Sequence, residues 1–142
     1  MKRTIFLLLV IIGSYSAQAQ SANTPEDIIA HFFAIYEKDG LKPGLDNIFS
    51  YGDKEVMKAL SYIKDTLAGT AKGLGQKYSG YELILKKNIT PSYGLYSYLI
   101  KYPSGPLRFN FIFYKPQDKW VIIDFSFDSQ IVPETRDFIR LH

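Results

Sequence analysis

Between Arg108 and Asp128 the chain reads RFNFIFYKPQDKWVIIDFSFD, two runs of alternating apolar residues around a polar turn at Lys115–Lys119. Successive side chains of a β-strand point to opposite faces. The alternation therefore places Phe109, Phe111 and Phe113 on one side of a first strand and Val121, Ile123, Phe125 and Phe127 on one side of a second. Pairing Lys115 with Lys119 sets Phe113 against Val121, Phe111 against Ile123 and Phe109 against Phe125. A slip of one residue would mix phenylalanines with Asn110 and Asp124, so the apolar pattern selects this register.

The same reasoning extends backwards through two turns. Pro103-Ser104-Gly105-Pro106 is one; pairing Tyr102 with Leu107 across it brings Ile100, Tyr98 and Tyr96 onto the phenylalanine face. Thr90-Pro91-Ser92 is the other, and pairing Ile89 with Gly94 adds Leu85, Leu83 and Tyr81. The expected sheet is a four-stranded antiparallel meander over 81–89, 94–102, 107–115 and 119–128. One of its faces is nearly all aromatic and aliphatic and must be covered.

Upstream segments supply the cover. Thr24-Pro25-Glu26-Asp27 is a helix start, with a Thr cap, Pro at the first helical position and acids in the first turn. Ile28, Ile29, Phe32, Phe33, Ile35 and Tyr36 then share one arc up to a stop at Gly40, predicting a helix over 25–39. Residues 41–51, with Pro43 and Gly44, read as a linker holding one helical turn around Leu45–Phe49. Asp53 caps a second long helix whose stripe is Val56, Leu60, Ile63 and Leu67, ending near Ala68-Gly69. Residues 70–80 read as a loop, and 134–141 as a short terminal helix. The fold class is α+β, with two main N-terminal helices packed on one face of the meander.

The first residues are set apart. Lys2 and Arg3, an apolar run from Ile5 to Ile12, and Ala17-Gln18-Ala19 have the layout of a secretory signal peptide cut after Ala19. The run is short of the ~20 residues that span a bilayer, so a retained anchor and an integral membrane span are not expected. Residues 20–142 then form a single exported domain, secreted or periplasmic. Its 15 basic residues (17 less Lys2 and Arg3) against 14 acidic ones leave no electrostatic footprint for nucleic acid. With no cysteine, the domain relies on its core and has no disulfides or thiolate metal sites.

The order helix, linker, helix and antiparallel meander, with the ending KWVIIDFSFD, resembles the nuclear-transport-factor-2-like superfamily, an α+β cone related in shape to cystatins. The resemblance implies a pocket between the concave face of the sheet and the helices, and a dimer through the other face. The short extra strands that many members carry between their helices are not found here.

Within that frame Tyr81, Tyr96, Tyr98 and Phe111 on the inner face, with Tyr36 and Tyr62 from the helices, form a candidate site for a small apolar or amphipathic ligand. Rings would supply area and hydroxyls orientation. The plainer reading is that these tyrosines fill the core, since aromatic residues favour strands in any case. The resemblance also implies an alternative, a small acid–base enzyme of isomerase or dehydratase type using His31. The register sets its natural acid, Asp124, on the opposite face, against such a dyad.

That opposite face gathers Leu95, Leu99, Ile112, Tyr114, Trp120 and Ile122 at one end and Arg108, Asp124 and Asp128 at the other. The pattern suits either a surface ion-pair group or a homodimer surface anchored on Tyr114, Trp120 and Ile122 and rimmed by Arg108. No metal or organic cofactor is expected: acids at ligand spacing are lacking, and Gly73-Leu74-Gly75 is without the Lys of a phosphate loop.

Overall fold

The computed structural model describes residues 24–131. The expected leader with its cleavage after Ala19, and the helix expected over 134–141, lie outside them. Four helices come first: α1 (Pro25–Asp39), α2 (Leu41–Phe49), α3 (Lys54–Ser61) and α4 (Ile63–Gly73). Four strands follow: β1 (Tyr81–Thr90), β2 (Tyr93–Tyr102), β3 (Gly105–Tyr114) and β4 (Val121–Asp128). They form one open antiparallel sheet in the order β1-β2-β3-β4. The architecture is α+β, with the helices preceding and covering the sheet.

Local chemistry explains several of the helix ends. The Thr24 hydroxyl accepts a hydrogen bond from the Asp27 amide at 3.2 Å and donates one to Asp27 Oδ2 at 2.7 Å, tying down the first turn of α1. Gly40, at φ +102°, closes α1 with its amide on the Tyr36 carbonyl and opens α2 without an intervening loop, a backbone state that side chains other than glycine's strain to reach. The expected linker over 41–51 is therefore mostly the nine-residue helix α2. Pro43 is no obstacle there, because the amides of a helix's first turn have no intrahelical acceptor to lose. Asp53 caps α3 through the Val56 amide at 2.8 Å. The second long helix of the sequence reading is divided at Tyr62 into α3 and α4 and runs on to Gly73.

One core lies between these layers. Ile28, Ile29, Phe32 and Phe33 of α1, Leu45, Ile48 and Phe49 of α2, and Leu60, Ile63 and Leu67 of α3 and α4 meet Tyr96, Ile100, Leu107, Phe109, Phe111, Phe113 and Phe125 of the sheet. The rings interlock edge to face: Phe32 packs on Phe111 at 5.7 Å, Phe49 on Phe125 at 5.6 Å and Tyr96 on Phe113 at 5.8 Å. Gly94 lies opposite Phe113. A Cβ there would stand 3.0 Å from the Tyr96 ring, so the missing side chain is what lets that ring lie against the strand.

The sheet keeps the expected faces on β2 and β3 but not the expected partners. Across β2–β3, Tyr98 pairs with Phe109 and Tyr96 with Phe111, two residues from the expected register, because only Pro103 and Ser104 lie between the paired Tyr102 and Gly105. Across β3–β4, Phe111 pairs with Phe125, and then an irregularity leaves Ile123 extra, so that Phe113 pairs with Ile122. This corrects two expectations. Ile122 is fully buried in the core rather than on the outer face, while Val121 and Ile123 are only half-buried. Arg108 pairs with Asp128, whereas the register that sets Phe109 against Phe125 would put it opposite Ser126.

Strand β1 departs most. Every one of its residues is exposed. Leu83 pairs with Tyr98, Ile84 is extra, and Leu85 pairs with Ser97, so Leu85 does not join the inner face with Leu83 as expected; a second irregularity follows at Ile89. The two-fold side-chain period is thus reset within the strand.

Candidate functional site

Most of the expected ligand residues are packing residues. Phe111 is wholly buried, Tyr96 and Tyr98 nearly so, and they touch other rings rather than an opening: Tyr98 lies edge-on to Phe33 at 5.4 Å and to Phe111 at 6.1 Å. Burial pushes the phenols of Tyr96 and Tyr98 up to about 12, with the Glu26 carboxylate adding to both. Tyr81 is partly exposed and stacks flat on Phe33 at 3.6 Å. Tyr62 is 73% exposed and borders a separate cleft of about 380 Å³ between α3, α4 and β4, with Leu60, Ile63, Phe125 and Phe127.

Tyr36 joins the core to a further opening. Its hydroxyl shares a hydrogen bond with the Tyr102 hydroxyl inside the protein, and its ring stacks on Tyr78 at 4.3 Å. Desolvation raises the Tyr36 phenol far above its ordinary range, and the bond to Tyr102 adds to the rise. Desolvation likewise raises Tyr78, with smaller contributions from Tyr81, Glu37 and Tyr102. All three phenols are therefore neutral at physiological pH.

The Tyr36–Tyr78 pair forms one wall of a cleft of about 450 Å³. Glu37 and Leu41 reach it from the α1–α2 junction, Ala68, Ala71 and Lys72 from α4, and Gln76 from the loop before β1. A second hollow of about 400 Å³ continues past Glu37 and Tyr78 to Ser79, Tyr81 and Lys101. The loop is held firmly. The Gln76 amide bonds the Ala71 carbonyl at 3.0 Å, the Ser79 amide bonds the Lys101 carbonyl at 2.9 Å, and Gly75 and Gln76 both have positive φ, +102° and +58°. The cleft thus offers an apolar floor, an aromatic wall, one carboxylate, one ammonium and one amide. Neither Glu37 nor Lys72 forms an ion pair among the described residues.

The sequence reading missed this site, apart from Tyr36, because Glu37, Lys72 and Gln76 lie in three segments that nothing in their local pattern joins. Tyr78 was the available signal, an aromatic residue in a loop rich in glycine and lysine.

His31 is exposed on α1, and Asp124 is exposed on β4, where it lies opposite Ile112. On the outer face Arg108 donates to Asp128 Oδ2 at 3.0 Å, and Ser97 donates to Asn110 Oδ1 at 2.7 Å. Trp120 is half-buried against the core with the Lys115 ammonium 5.4 Å from its ring, and Tyr114 is partly exposed. Among the described residues no three His, Cys, Asp or Glu side chains come close enough to hold a metal ion, and no helix is long and apolar enough to cross a membrane. In sequence comparisons no protein-family model matches the chain, and no curated protein matches it.

Proposed function

We propose that this is a non-catalytic exported domain of nuclear-transport-factor-2-like shape that binds a small amphipathic molecule in the Tyr36–Tyr78 cleft. The observation that carries the reading is the cleft itself. At about 450 Å³ it falls in the size range of small-molecule sites, and an aromatic wall faces Glu37 and Lys72, which form no ion pair among the described residues. The expected location between helices and sheet is filled by Phe32, Phe33, Phe109 and Phe111, so a ligand belongs beside the core. A flat apolar or aromatic body would lie against Tyr78, with an anionic group toward Lys72 and a cationic or hydrogen-bond-donating group toward Glu37. His31 and Asp124 take no part.

The test is a 15N-labelled NMR titration with a panel of small aromatic acids, amines and zwitterions. Saturable shifts at Glu37, Leu41, Lys72, Gln76 and Tyr78 are expected from at least one class. A panel that moves none of these amides contradicts the proposal.

A further inference from the structure

The free edge of the sheet at β1 carries opposite charges on either side of a short aliphatic run. Glu82-Leu83-Ile84 is followed by Leu85-Lys86-Lys87, an acid and two apolar residues before one apolar residue and two bases. Leu83, Ile84 and Leu85 are 55%, 47% and 45% exposed, an unusual amount of aliphatic surface for an edge strand.

The extra residue Ile84 makes this pattern self-complementary. Tyr81 and Leu83 pair with the inner-face residues Ile100 and Tyr98, and after the irregularity Lys86 and Asn88 pair with the inner-face positions Tyr96 and Gly94. Glu82 and Lys87 pair with Leu99 and Leu95 of the outer face. An antiparallel two-fold pairing of two β1 strands must match inner residues with inner and outer with outer. Centred between Ile84 and Leu85 it does so: Tyr81 meets Asn88, Glu82 meets Lys87, and Leu83 meets Lys86. Centring on Lys86 or Lys87 would stack like charges instead, and centring on Ile84 or Leu85 would mismatch the faces. An uninterrupted strand could not be paired about a point between two residues.

Charge agrees with geometry. Lys87 has no ion-pair partner among the described residues, and Glu82, held at 3.0 Å by Lys101, keeps most of its side chain in solvent. We propose that a second copy of this chain adds antiparallel to β1 about an axis between Ile84 and Leu85, placing Glu82 of each chain opposite Lys87 of the partner subunit. The two sheets become one continuous eight-stranded sheet, and the Leu83–Leu85 surface is covered.

Sedimentation equilibrium on the protein purified after expression of the full chain tests this, with circular dichroism confirming that each variant is folded. The unaltered protein is expected to be a dimer in reversible equilibrium with monomer. Lys87→Glu or Glu82→Lys alone turns two attractive contacts into two repulsive ones and should weaken the dimer about tenfold or more. The double variant, with both charges exchanged, should return to within about threefold of the original constant. A monomer at all concentrations, species larger than a dimer, indifference to the single reversals, or a double variant as weak as either single one would overturn the proposal.

Discussion

Tyr36 on α1 and Tyr102 at the end of β2, 66 residues apart in sequence, share a hydrogen bond between buried phenolic hydroxyls directly behind the candidate cleft. Each hydroxyl is the other's partner, so their worth is conditional. Tyr36→Phe or Tyr102→Phe leaves one buried hydroxyl unsatisfied and should cost about 1–3 kcal/mol. The double variant should cost less than the sum of the two, because it removes both groups at once. Urea unfolding of the four proteins measures the coupling; strictly additive losses would mean that the hydroxyls do not interact.

The same burial predicts a stability that fails in alkali. Tyr96 and Tyr98 are pushed up to about 12 in the folded protein, and Tyr36, Tyr78 and Tyr102 are raised as well. The unfolded chain loses these protons near pH 10 while the folded chain keeps them, so the folded state binds more protons above that point and stability falls as pH rises. Below pH 10 the contribution is complete. Each affected tyrosine can add up to about 1.4 kcal/mol per pH unit to the fall, and unfolding between pH 9 and 12 should show a slope of more than one proton.

The irregularity at Ile123 makes Ile122 and Ile123 sharply unequal neighbours. Ile122 is fully buried opposite Phe113, and Ile122→Ala should cost about 2–5 kcal/mol, whereas Ile123→Ala at a half-buried position should cost clearly less. Strict alternation along β4 would predict the reverse order, which makes this pair a direct check of the register.

In the cleft, Tyr78→Ala removes the aromatic wall and Lys72→Glu reverses the charge. Each should weaken a ligand found in the NMR titration about tenfold or more, while His31→Ala should leave its affinity unchanged. Loss of binding in His31→Ala with Tyr78→Ala silent would move the site to the solvent side of α1.

The residues that reveal the faces of a sheet do not reveal its register. Phe109, Phe111 and Phe113 were legible as one side of a strand, and burial agrees. A shift by two residues leaves every face unchanged, however, so the pattern could not tell Phe109 opposite Phe125 from Phe109 opposite Phe127; the turns decided that. Ile84 and Ile123 were equally illegible as extra residues, because an isoleucine fits an inner or an outer position alike. Helix α1 was read in full from its Thr24 cap to Gly40, since both ends carry their own chemistry. Helix α2 was not, because Pro43 and Gly44 mimic a linker when they fall in a first helical turn. The cleft was hidden for a different reason: its walls come from α1, α4 and the loop before β1, and only the packing of α4 beside α2 brings Lys72 toward Tyr36.

Soaking crystals of the protein with a library of small aromatic acids, amines and zwitterions separates the proposed binding in the cleft beside a filled core from binding between the helices and the sheet. Bound molecules are expected against Tyr36, Tyr78 and Lys72, with the rings of Phe32, Phe109 and Phe111 undisturbed. Molecules found between α1 and the phenylalanine face, or a cleft left empty by the whole library, would contradict the proposal.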